Sequence, residues 1–193
     1  FKQLCEIEIP KKDTAAAPIF LVARSFDINR PGTIIKNLKG GVLGGILKKG
    51  TLNVGDEIEI KPGLSIKKAN QYTYQTLTTK IISLYKGNKS VEKVTPGASI
   101  SIETQLDPFI TKSDSLNGCI VSKKGGLPEI TSVLKIKSNI FPEIFGQEGN
   151  KKVDPIKTKE LLMLSVNTTI TVGSVENLKN AEIDFVLIFP IFE

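Results

Sequence analysis

The chain has 193 residues, 40% hydrophobic and 24% charged, enough for one large domain or two small ones of ordinary globular composition. Histidine is absent, which removes Ser-His-Asp and Cys-His catalysis and the usual zinc ligands together. The net charge of +6, from 26 basic and 20 acidic residues, is compatible with nucleic acid or another acidic partner, although a solvated lysine-rich surface is the simpler account of the charge alone.

Cys5 and Cys119 are the only cysteines and make no disulfide framework. The first ten residues, FKQLCEIEIP, hold acids where a secretory leader needs an apolar stretch, and no apolar run approaches the ~20 residues of a spanning helix. These features predict a reducing, cytoplasmic setting with no membrane partner. Position 1 is Phe and the only methionine is Met163, so the chain is expected to be a piece of a longer protein.

Taken in chain order, the pattern is one of strands. Residues 19–28 (IFLVARSFDI) form a β-branched and aromatic run. Alternation is clearest at Asp56-Glu57-Ile58-Glu59-Ile60-Lys61, where the isoleucines share one face and the charges the other. Further runs lie at 77–85, 99–103, 118–122, 132–140, 161–166, 168–172 and 183–189. Turn chemistry separates them at Pro31-Gly32, Gly40-Gly41, Gly50, Val54-Gly55, Pro62-Gly63, Lys86-Gly87-Asn88 and Pro96-Gly97. Many short strands with close turns predict an all-β protein of barrels or sandwiches. Residues 157–164 are the one short helical candidate, and 141–158 read as an irregular excursion.

KKGGLP, at 123–128, has the composition of a connector, which divides the chain into a first barrel at 1–125 and a second β-domain at 126–193. The closing FPIFE is apolar and would need a partner strand, so the second domain is expected to be truncated and unable to fold alone.

A phosphate-binding G-x-x-x-x-G-K-[ST] loop does not occur. Gly40-Gly41-Val42-Leu43-Gly44-Gly45 lacks the Lys-Ser/Thr pair and a following helix, and it reads as glycines that let a barrel strand bend or accept a close backbone. Asp27, Asp56 and Asp107 sit at strand ends, where Asp usually closes a turn through the backbone. Arg24, Arg30, Lys36, Lys39, Lys48 and Lys49 cluster in sequence and could contact phosphates as a group, as could Lys67 and Lys68.

Several stretches carry a specific likeness. Ala23-Arg-Ser-Phe-Asp-Ile-Asn-Arg-Pro-Gly-Thr33 is followed by Leu38-Lys-Gly-Gly-Val-Leu-Gly-Gly45. Val54-Gly-Asp-Glu-Ile-Glu-Ile-Lys-Pro-Gly63, Leu77-Thr-Thr-Lys-Ile-Ile-Ser-Leu84 and Leu106-Asp-Pro108 leading to Thr111-Lys-Ser-Asp114 agree in order and spacing. With the opening segment near Ile9-Pro10 and with Leu127-Pro-Glu-Ile130, they resemble the second and third domains of the gamma subunit of translation initiation factor two, over essentially the whole chain. The pattern departs from that family at Ala98 and at Ser101-Ile102-Glu103-Thr104, where a Gly-Val-Gly-Thr run is usual.

The resemblance implies two successive β-barrels of the elongation-factor-Tu-like type, the second truncated, with the GTPase domain missing. It implies a heterotrimer with alpha and beta subunits that delivers initiator methionyl-tRNA to the small ribosomal subunit. This piece would have no catalytic role, metal or cofactor; GTP and Mg would belong to the missing domain, as would the beta-subunit contact. The tRNA-end candidates are Phe26, Gly44, Gly45, Lys48, Lys80 and Gly97, and the alpha-subunit candidates are Asn29, Arg30, Lys36 and Lys39 on a basic 29–39 insertion. The alternative is the corresponding part of an elongation-type factor carrying elongator or selenocysteinyl-tRNA, against which the insertion argues.

Overall fold

The computed structural model describes residues 2–8, 11–68, 71–143, 152–179 and 182–191, which fall into two compact units, Phe1–Leu127 and Pro128–Glu193. In the first unit the strands are β1 (Ile19–Phe26), β2 (Val42–Lys49), β3 (Leu52–Asn53), β4 (Glu57–Lys68), β5 (Gln71–Lys86), β6 (Lys89–Val91), β7 (Lys93–Val94), β8 (Ser99–Thr104) and β9 (Ile120–Lys123). Hydrogen bonding runs in the order β4-β9-β1-β2-β8-β5, and β5 pairs back onto β4. Six strands therefore close into a barrel, which removes the sheet edges and leaves an interior that side chains can fill.

Alternation supplies the filling. Phe20, Val22, Leu43, Ile58, Ile60, Ile81, Ile100, Ile102 and Val121 are buried in one cluster; the intervening positions are more exposed, apart from Leu21, Val42, Glu59, Ile120 and Ser122, which are buried too. Burial of this apolar surface is the main stabilising term. Glu59 is the one acid among these buried positions: its carboxylate accepts the Leu127 N–H at 2.7 Å, and Lys61 Nζ donates to the Leu127 carbonyl at 3.1 Å. That clamp covers the acid and ties down the end of the unit.

Turn-closing aspartates behave as their sequence positions suggest. Asp27 accepts the Asn29 N–H at 2.8 Å, Asp56 accepts that of Asn53 at 2.9 Å, and Asp107 caps the short helix Pro108–Thr111 through the Phe109 N–H at 2.8 Å. Cys119 is buried and burial pushes its thiol up to about 11, whereas Cys5 is exposed. Because the thiolate is the reactive form, a disulfide-exchange reagent at pH 8 should label Cys5 promptly and Cys119 only after denaturant is added. Equal labelling rates in the native protein would contradict this packing.

The second unit is a four-stranded antiparallel sheet in the order β10-β13-β12-β11, made of β10 (Thr131–Lys137), β11 (Leu161–Val166), β12 (Thr169–Lys179) and β13 (Glu182–Ile191). Leu134, Val175, Ile183, Phe185 and Leu187 form its core. Two expectations need correction. The run at 161–166 is β11 as its strand pattern predicts, so the overlapping helical candidate at 157–164 is overturned: Leu161 and Met163 alternate with Leu162 and Leu164 in burial at period two. The segment ending in FPIFE is not unpaired: β13 lies between β10 and β12, and Ile191 pairs with Thr131. Phe192 and Glu193, with 144–151 of the expected excursion, lie outside the described residues.

Candidate functional site

The six candidates for one pocket do not gather at one point. Antiparallel pairing sets Gly44 opposite Ser101 and Ile46 opposite Ser99, so Lys48 and Gly97 continue together toward one end of the β2–β8 ladder. Lys80 lies at the other end, beside Gln105, whose N–H donates to the Lys80 carbonyl at 3.2 Å. It also stands directly opposite Glu57 in the β4–β5 ladder. Gly97 has a positive φ of 115°, and the Lys12 ammonium lies 2.5 Å from where its Cβ would be. Lys12, which the sequence patterns did not single out, thus joins Lys48 and Lys49 in making that end of the barrel basic.

Gly44 and Gly45 have opposite roles. A Cβ on Gly44 would sit in open contact, 3.7 Å from Phe26 Cε1 and from Arg24 Cβ, so this glycine faces outward beside the Phe26 ring. A Cβ on Gly45 would overlap the Leu21 carbonyl and press on the Phe20 ring at 3.1 Å. The close backbone approach that Gly45 permits is therefore to β1, which corrects its placement with Gly44 as a ligand-facing pair.

Phe26, Ile28, Lys39, Val42, Tyr85 and Glu103 line a shallow outer cavity of about 210 Å³. Gly87 and Ser101 complete its lining, and Glu103 is fixed by the Ser83 hydroxyl donating at 2.5 Å. Arg24 is committed elsewhere: its Nε donates to Asp114 Oδ1 at 2.9 Å, and the Ser25 N–H donates to the same oxygen at 2.9 Å. The Arg24 hydrogen bond and then the Ser25 N–H hold the Asp114 carboxyl below its ordinary value. The anchor is complete above the ordinary carboxylate range and is lost as pH falls through the depressed native value.

The 29–39 insertion is an ordered loop. Asn29 fastens its base, donating from Nδ2 to Asp27 Oδ1 at 2.7 Å and to the Lys39 carbonyl at 2.8 Å while its Oδ1 accepts the Lys39 N–H at 2.8 Å. Asn29 is accordingly a positioning residue for the loop, with its side chain turned inward, and not a free contact. Thr33 closes a turn on the Arg30 carbonyl, and Ile35–Asn37 forms one 3-10 turn. Arg30, Lys36 and Lys39 are exposed. Between them Ile34 is 63% and Ile35 86% exposed, apolar side chains with no packing to account for them. A wider cavity of about 540 Å³ lies under the loop, bordered by Asp27, Arg30, Thr33, Leu38 and Lys112.

Among the described residues, no cluster of acids and cysteines could hold a metal, and no helix is long and apolar enough to cross a membrane. The family model described as initiation factor eIF2 gamma, C terminal, matches residues 132–192. The translation initiation factor 2 subunit gamma of Methanocaldococcus jannaschii is 45% identical over 185 residues, 96% of this chain and 45% of its own length. That of Pyrococcus horikoshii is 43% identical over the same span and shares.

The chain belongs to the family of the gamma subunit of translation initiation factor two. It spans a little under half the length of these curated relatives. In three dimensions it is similar to a bacterial selenocysteine-specific elongation factor, with a TM-score of 0.67 and 18% identity, covering 100% of this chain and 26% of that one. At that identity the likeness concerns the fold alone, the elongation-factor-type β-domains that the sequence leads one to expect.

Proposed function

We propose that the chain supplies the β-barrel portion of a translation initiation factor that binds initiator methionyl-tRNA and brings it to the small ribosomal subunit as a heterotrimer in the cytoplasm. The observation that carries this reading is the 45% identity, over 96% of the chain, to a gamma subunit of initiation factor 2. GTP and Mg act elsewhere in the longer protein, as does the beta subunit, and the barrel itself performs no catalysis.

Two surfaces divide the work. The basic end with Lys12, Lys48, Lys49 and Gly97 suits the phosphates near the aminoacylated tRNA end, whose backbone charge favours clustered lysines. The cavity beside Phe26 is a candidate for the terminal base, since open space next to an aromatic ring leaves room for stacking. The 29–39 loop, with exposed Ile34 and Ile35 ringed by Arg30, Lys36 and Lys39, has the apolar centre and charged rim of a protein-docking surface, and we assign it to the alpha subunit.

A footprinting experiment tests the division. Initiator methionyl-tRNA should shield Lys12 and Lys48 from amine acetylation, while the alpha subunit should shield Lys36 and Lys39. Shielding of the loop lysines by tRNA, with the Lys12 end left open, would reverse the assignment.

A further inference from the structure

The β4–β5 hairpin outruns the barrel. β9 pairs with β4 only over 58–61, and β8 pairs with β5 only from Ile81 onward, so residues 64–68 and 71–75 pair with each other alone among the described strands. At ~3.4 Å per residue this makes an arm of roughly 15 Å, rooted where Leu64 packs against the barrel core. A barrel needs no such extension to close its ladder.

Its composition is as unusual as its length. Although the chain holds 20 acids, none lies between Glu59 and Glu92, and Lys61, Lys67, Lys68, Lys80, Lys86 and Lys89 fall in that interval. All three tyrosines, Tyr72, Tyr74 and Tyr85, fall there too. On the arm the register sets Lys67 opposite Tyr72 and Ser65 opposite Tyr74, so these four share one face. Tyr72 is 47% exposed, and the Lys67 ammonium lies 5.8 Å from its ring centroid. A cation and a stacking surface therefore stand within the span of one nucleotide. A hairpin arm with a flat aromatic, a lysine beside it and no acid meets the two requirements of single-strand binding, charge along the backbone and a π-face for a base.

We propose that the β4–β5 arm is a contact for single-stranded RNA, with Tyr72 stacking on a base and Lys67 neutralising the flanking phosphate. This contact is separate from the surfaces assigned above and stands on the arm's own geometry and charge. An anionic membrane or an acidic peptide would use the lysine, but neither offers a base face for the ring to stack on.

The test is fluorescence anisotropy of a labelled oligouridylate of about twelve nucleotides with the full chain. Tyr72→Ala should weaken binding about tenfold, in the range measured for removal of one base–aromatic stack, while Tyr72→Phe keeps it. Lys67→Glu should also weaken it and flatten the salt dependence by roughly 0.7 for a phosphate no longer neutralised. Lys157→Gln, at an exposed lysine outside every surface assigned above, should leave this affinity unchanged, which keeps the arm's result distinct from a loss of charge in general. Tyr72 is half in solvent, so thermal melts of the variants should match wild type. Unchanged affinity in folded Tyr72→Ala would overturn the proposal. So would equally tight binding to phosphatidylserine vesicles that the Tyr72→Ala change leaves intact.

Discussion

Gly45→Ala should lower the stability of the first unit by about 3 kcal/mol, with a fall in melting temperature on the order of 10 °C. The added methyl has nowhere to go. It would overlap the Leu21 carbonyl, a backbone atom held in the β1–β2 ladder, and crowd the Phe20 ring at 3.1 Å. Relief requires β1 and β2 to separate, which weakens a pair that the barrel needs for closure. Gly44→Ala is the control: its new carbon finds only ordinary contacts at 3.7 Å, so the cost should stay within about 1 kcal/mol. Thermal unfolding followed by circular dichroism separates the two. Equal melting temperatures for both variants would mean that β1 and β2 do not approach as described.

Replacing Arg30, Lys36 and Lys39 by Glu should weaken binding to the alpha subunit by on the order of a hundredfold or more, since like-charge juxtaposition at an interface costs several kcal/mol. All three side chains are exposed and none holds the loop's shape, which rests on Asn29, Asp27 and Thr33. The variant should therefore stay folded. The effect should shrink at high salt as screening grows. Ile35→Asp supplies an independent arm, because an apolar centre left in solvent is where interface energy concentrates; it should also weaken binding, with little salt dependence. Titration calorimetry reads both. A folded triple variant with wild-type affinity would reduce the loop's charges to ordinary surface.

The barrel is legible in the sequence because alternation is a local signal. Ile58 and Ile60 declare their face within six residues, and the turn glycines bracket the strands. Gly45 is legible in kind, as a glycine for close backbone approach, but not in its partner, because Leu21 is distant in sequence and adjacent only through the ladder. The same limit applies to Lys12 over Gly97, a contact made by chain routing and not by any motif. Asn29 misleads for the opposite reason: a polar residue in a basic loop looks like a contact until its side chain is seen spanning to Lys39. The strand at 161–166 is legible as a strand run, and the overlapping helical candidate at 157–164 fails because a Leu-rich composition suits a helix as well until burial reveals the period of two. The length of the β4–β5 arm stays hidden because alternation reports a face, not whether a third strand lies alongside.

The most direct test of the functional reading is an exchange of segments. In the Methanocaldococcus jannaschii gamma subunit, the region matching this chain is replaced by the chain itself, and the chimaera is assayed for methionyl-initiator-tRNA binding in the presence of GTP and the alpha subunit. The chimaera should assemble with the alpha subunit and keep initiator tRNA affinity within about tenfold of the parent, as expected where one weak contact is altered. A folded chimaera that assembles normally but binds no initiator tRNA, or prefers elongator tRNA, would contradict the proposed role.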